Sequence, residues 1–226
     1  MDVRSPMNPE KFRKKLRKKR IWSTSLEFID EKHRNMVYDE LVKISKKHKT
    51  VAATLAKQTP DILEVDDGKY YQTTIETLNQ FMNDYPILGQ EFANQSAEIL
   101  SISGKNGYKE VLKSLSKTWR KEQVILPMML IRYAPEILKI DDGKYYQSVV
   151  DATMKLVDNH NYDFYVIRFI GNSTKILERV DKSKEVTEDV LLIEHIETPE
   201  DAQIIGPIID MDKYSDLYNE KVQRFY

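Results

Sequence analysis

Asp66-Asp67-Gly68-Lys69-Tyr70-Tyr71-Gln72 recurs 75 positions later as Asp141-Asp142-Gly143-Lys144-Tyr145-Tyr146-Gln147. Each copy follows a related lead-in, Pro60-Asp61-Ile62-Leu63-Glu64-Val65 and Pro135-Glu136-Ile137-Leu138-Lys139-Ile140. An internal repeat has to be resolved first, because it fixes the architecture and bears on every site argument.

The repeat divides further. An Ile-Leu pair occurs at 62–63, 99–100, 137–138 and 176–177, at spacings of 37, 38 and 39 residues. Upstream of each lies an apolar pair four apart: Val51 and Leu55, Leu88 and Phe92, Leu126 and Leu130, Tyr165 and Phe169. Steps of four and seven belong to one face of a helix, and strand-like alternation by two is absent. These segments are expected to be the second helices of four units. First helices are expected between them, carrying Met36, Val37, Leu41 and Ile44; Ile75, Leu78 and Met82; Val111, Leu112, Leu115 and Trp119; and Val149, Val150, Met154 and Val157. Gly68, Gly107 and Gly143 stand just before a first helix, so they read as turn glycines, with Asp67 and Asp142 expected to cap the helix that follows. Adjacent helical positions lie about 100° apart, so one ring of each Tyr-Tyr pair is expected to pack and the other to reach water.

Paired-helix units of this length resemble the HEAT repeats of α-solenoids. The resemblance covers residues 34–180 and rests on the period, because HEAT sequence signatures are loose. It implies an all-α, right-handed superhelical HEAT-like solenoid of four to five antiparallel helix pairs. The units fall at 34–65, 66–104, 105–140 and 141–180, after a basic arm and cap at 1–33. An acidic stretch, 181–226, forms a degenerate fifth repeat and C-terminal cap, where Ile204 to Tyr214 imitates Pro60 to Tyr70 with one residue missing. A stack of this kind buries its core between neighbouring units.

Charge is distributed unevenly. The net charge is −1 over 226 residues, yet residues 1–60 carry 16 Lys/Arg against 7 Asp/Glu, and residues 181–226 carry 5 against 12. Eight cations crowd into ten positions: Lys11, Arg13, Lys14, Lys15, Arg17, Lys18, Lys19 and Arg20. Phe12 and Leu16, four apart, are expected to pin a short helix to the first unit while the charges face water. Alone, such an arm is expected to be poorly ordered or marginally helical. It is a candidate contact for phosphates, nucleic acid or an acidic protein. Trp22, beside it, is expected to anchor the cap rather than stack a base.

Catalytic chemistry finds little footing. Cysteine is absent, so disulfides and thiolate sites are excluded, and His33, His48, His160 and His195 have no metal-ligand spacing. Gly104-Lys105-Asn106-Gly107 lacks the frame of a phosphate loop. Asp-Asp-Gly-Lys supplies too few alternating oxygens for calcium. Two catalytic branches of HEAT-like proteins have recognisable residue sets. The His-Glu pairs of the di-iron hydroxylases are missing here, and only Trp119-Arg120 is similar to the Trp, Arg and Asp set of a DNA-base glycosylase. The expectation is a scaffold without catalysis and without a cofactor.

In HEAT-type stacks the second helices line the inner surface, which implies partner contacts by Lys57, Glu91, Asn94, Arg132 and Arg168. Their outward columns read Lys57, Asn94, Arg132, Gly171; Thr54, Glu91, Met129, Arg168; and Asp61, Glu98, Glu136, Lys175. Mixed signs suit a protein or peptide better than a phosphate track, leaving nucleic acid at the basic arm, joined by Lys46, Lys47 and Lys49, as the alternative and a HEAT-like DNA-base glycosylase as a third, weaker reading. The longest apolar run, Val124 to Ile131, is far short of the roughly 20 residues of a membrane span. With no secretory leader legible, the expected location is cytoplasmic.

Overall fold

The computed structural model describes residues 5–65, 67–118, 124–159, 163–183 and 185–226. Among these residues there is helix and no strand. The chain divides into two compact units, Met1–Tyr108 and Lys109–Tyr226. Trp119, Arg120 and His160 lie outside the described residues.

The first unit opens with α1 (Pro9–Lys19). Pro9 stands at the first helical position and the Asn8 side chain accepts from the amides of Glu10 and Lys11, so the start is capped twice over. Arg20 ends the helix at φ 58°, its amide bonding the Arg17 carbonyl while the Ile21 amide reaches back to Leu16. That is a Schellman stop, and Ile21, 1% exposed, supplies its apolar contact. Phe12 and Leu16 are fully buried and α1 packs on α2 (Arg34–Ser45). The sequence expectation for this edge holds, and the helix belongs to the unit's core. Trp22 meets the Phe12 ring edge-on at 6.1 Å, with Arg13 over its face at 5.9 Å.

Next, α2 packs on α3 (Lys49–Val65), and α3 on α4 (Lys69–Asp84). The long helix α5 (Pro86–Lys117) is interrupted at Gly104, with φ 60° and ψ −168°. Those angles are accessible essentially to glycine alone, so the break falls there and not at Gly107, where it was expected. Its first stretch meets α4 through Phe81 and Phe92, ring centroids 5.3 Å apart and edge-on. Tyr108 shares a hydrogen bond of 2.8 Å with Thr74 and packs edge-on against Tyr70.

In the second unit, α6 (Ile125–Leu138), α7 (Tyr146–Asn159) and α8 (Asp163–Arg179) pack on one another. Then α9 (Glu188–Glu194) covers α7 and α8, and α10 (Pro199–Ile205) and α11 (Met211–Val222) pack on α9. Thr198 and Asp201 form a reciprocal capping box at the start of α10. Lys155 pairs with the buried Asp189, which also accepts from the Asp210 amide at 3.2 Å.

The repeat register survives in the core. All four Ile-Leu pairs are buried, as are Leu55, Phe92, Leu130 and Phe169, each 0% exposed. The residue three before each Ile is small and buried too: Thr59, Ser96, Ala134 and Ser173. Two further expectations fail. Tyr70 and Tyr71 are both buried, and so are Tyr145 and Tyr146. The first ring of each pair lies under its preceding lysine, Lys69 at 5.9 Å and Lys144 at 5.1 Å, so the alkyl stem and ammonium shield it from water. The other failure concerns Asp67, which does not cap α4, since the cap position falls to Gly68, a residue with no side chain to offer the free amides.

Candidate interaction surfaces

The described residues of the repeated Asp-Asp-Gly phrase take left-handed backbone in both units. Asp67 and Gly68 have φ of 52° and 81°; Asp141, Asp142 and Gly143 have 48°, 54° and 78°. Aspartate and glycine are among the residues that enter this region at least cost, which explains the composition of the phrase. Asp67 is then committed by charge: it pairs with Lys32, and its carbonyl lies 3.2 Å from His33 Nε2. The hydrogen bond from Lys32 holds its carboxyl below the usual range. Asp141 pairs with Lys182 at 2.7 Å. These aspartates are occupied in structure. Among the described residues no group of three His, Asp or Glu side chains is arranged to hold a metal ion.

Exposure along the second helices varies by column. Lys57, Asn94 and Arg132 are exposed, and Asp61, Glu98, Glu136 and Lys175 are exposed. Thr54, Glu91, Met129 and Arg168 are half-buried. In the first unit, α3 and the first stretch of α5 meet at one groove of about 450 Å³, lined by Gln58, Asp61, Glu64, Ala97, Glu98 and Ser101 among others.

Arg168 is engaged internally. It pairs with Asp201, only 3% of whose side chain is exposed, and lies over the Tyr165 ring at 4.8 Å. Asp201 also accepts from the amides of Glu197 and Thr198, both at 2.9 Å. Burial pushes its carboxyl up, but those amides and Arg168 outweigh it and hold the group below the usual carboxylate range. Beside this pair His195 is fully buried, edge-on to Tyr165 at 5.2 Å and to Phe169 at 5.4 Å, and among the described residues neither ring nitrogen has a hydrogen-bond partner. Desolvation, aided by the Arg168 charge, lowers its pKa to about 4. Sequence reasoning placed Arg168 on a partner surface because its partner lies 33 residues on, beyond any helical spacing. The signal that existed was Thr198-Pro199-Glu200-Asp201, a helix start whose acid is free to face inward.

The arm cations divide by what they touch. Arg13 pairs with Glu27 at 3.4 Å, and Lys15 lies over the Tyr38 ring at 4.8 Å. Lys11, Lys14, Arg17, Lys18, Lys19 and Arg20 are exposed. A folded, anchored helix therefore presents them in fixed register.

A third surface has no counterpart in the sequence motifs. The end of α8, α9 and α11 enclose a cleft of about 450 Å³ with Val180, Val190 and Leu217 in its lining, and Glu185, Asp216 and Glu220 beside them. Among the described residues no helix is long and apolar enough to cross a membrane. Comparison with known proteins returns no family model, no curated protein and no solved structure that matches the chain.

Proposed function

We propose that this chain is a HEAT-like helical-repeat scaffold that binds a protein or peptide partner along its second helices and catalyses no reaction. The observation that carries the reading is the groove between α3 and α5, where Asp61 and Glu98, equivalent positions of successive units, line one concavity. A repeat that preserves its buried positions and leaves the same outward positions exposed has the layout of a binding face built by stacking. The acidic lining selects for a partner segment bearing Lys or Arg, with Lys57 and Asn94 on the same helices contributing hydrogen bonds. Charge complementarity of this sort governs partner choice and encounter rate more than tightness.

The test is affinity capture from native-cell extract with the intact chain and with Asp61→Lys/Glu98→Lys, each with and without nuclease treatment. The reading expects a defined protein retained by the intact chain, unaffected by nuclease and lost from the variant. Equal retention by both forms defeats it. Loss on nuclease treatment instead favours a second reading, nucleic-acid binding, which the exposed cations of α1 support.

A further inference from the structure

The chain carries two columns of opposite charge, one on each unit, and they match in pitch. On α11, Asp212, Asp216 and Glu220 are exposed at intervals of four. On α1, Lys11, Lys14 and Lys18 lie opposite the buried Phe12 and Leu16, at intervals of three and four. A helix rises 1.5 Å per residue, so both columns repeat about every 5–6 Å. No ion-pair partner accompanies Asp212, Asp216, Glu220, Lys11, Lys14 or Lys18 among the described residues. Beside the acidic column, Val180, Val190 and Leu217 form the apolar part of the cleft's lining, Val180 buried and the other two half-buried.

From this geometry we propose that the cleft along α11 receives the solvent face of α1 from a second copy, so that the protein self-associates head to tail. Lysine suits such a site on both counts. Its alkyl stem lies against apolar lining while its ammonium reaches the rim carboxylates. Lys213, on one wall, is already drawn to Glu185 at 3.8 Å and lies over the Tyr214 ring at 5.0 Å, which leaves Asp216 and Glu220 to the incoming helix. The two surfaces are different patches of one chain, so each copy can offer its α1 and receive an α1 in the same assembly. The inference is independent of the α3–α5 groove, and the variants below leave Asp61 and Glu98 unchanged.

Sedimentation velocity of the nuclease-treated full chain, over a range of protein concentrations, reads this directly. The expectation is concentration-dependent assembly at low salt. It weakens at least about tenfold as salt rises from about 0.01 to about 0.15 M, over which the screening length contracts from about 30 to about 8 Å. Lys11→Glu/Lys14→Glu/Lys18→Glu and Asp212→Lys/Asp216→Lys/Glu220→Lys should each be monomeric alone and should assemble when mixed. Every replaced side chain is exposed, and a thermal melt confirms that each variant is folded. An unmodified chain that stays monomeric at every concentration in low salt overturns the proposal, as does a mixture that fails to assemble from folded variants.

Discussion

Gly143 sits third in a run of three left-handed residues, and its missing side chain matters twice. The φ of 78° costs about 1–2 kcal/mol for a residue with a Cβ. An added Cβ would also stand 2.9 Å from Leu138 Cδ2, an atom of the buried Ile-Leu pair. Gly143→Ala should therefore destabilise by roughly 1–3 kcal/mol, read as a lowered urea midpoint. Gly68→Ala should act likewise in the first unit, where the Cβ meets His33 Nε2 at 2.9 Å and Leu63 Cδ2 at 3.0 Å. His195 makes a different prediction. Folded, it stays neutral to about pH 4, whereas unfolded it takes up a proton near its ordinary value of 6.5. Below that value the unfolded state binds more protons, so stability falls as pH drops from about 6.5 to about 4, by roughly 3 kcal/mol over the window. Asp201, with its lowered carboxyl, loses its contribution in the same direction at lower pH. Denaturation curves at about pH 7 and about pH 5 should differ clearly in the parent and much less in His195→Leu. An unchanged pH dependence in that variant would place the titrating group elsewhere.

At the scale of the element, what the sequence made legible was the apolar register. Steps of four and seven located the second helices because burial of one face is a local, periodic demand, and Leu55, Phe92, Leu130 and Phe169 are wholly buried as that demand requires. Removing one of them tests it. Phe92→Ala deletes a ring that meets Phe81 edge-on at 5.3 Å, and should cost about 3–5 kcal/mol in a urea melt. A cost below about 1 kcal/mol would show a site free to collapse and would count against Phe92 as a core position. What the sequence did not make legible depends on partners distant along the chain. Asp67 was expected at a helix start because aspartate favours caps, but Lys32, 35 positions upstream, claims it. Both rings of each Tyr-Tyr pair are buried because the neighbouring lysine covers the outer one. The same geometry recurs at Lys213 and Tyr214, in the stretch read as a degenerate copy of the phrase. Arg168 is paired for the same kind of reason, with an acid 33 residues away in a helix that no periodicity joins to its own. The α11 cleft went unread because it joins residues 180 to 220, which no single motif spans.

Across the whole molecule the net charge of −1 separates into a basic beginning and an acidic end. Long-range fields follow this separation rather than the total, so encounter with any charged partner depends on which end is presented. The basic end is a structural part as well as a charged one. Phe12 and Leu16 are fully buried and Ile21 completes the helix stop, so deleting the first 20 residues would strip packing from α2 along with the charge. Neutralisation in place separates the two effects. Lys11→Gln/Lys14→Gln/Arg17→Gln/Lys18→Gln removes four exposed cations and leaves the apolar edge intact, so the thermal midpoint should hardly move. Binding to a short single-stranded oligonucleotide, measured by fluorescence anisotropy across a salt series, then isolates the electrostatics. If α1 is the contact, log affinity falls linearly with log salt, and the slope flattens in the variant by about 0.7 for each phosphate that is no longer neutralised. A parent chain that binds with the same slope as its variant would clear α1 of any role in nucleic-acid binding. The exposed cations would then be left to an acidic protein surface, such as the column on α11.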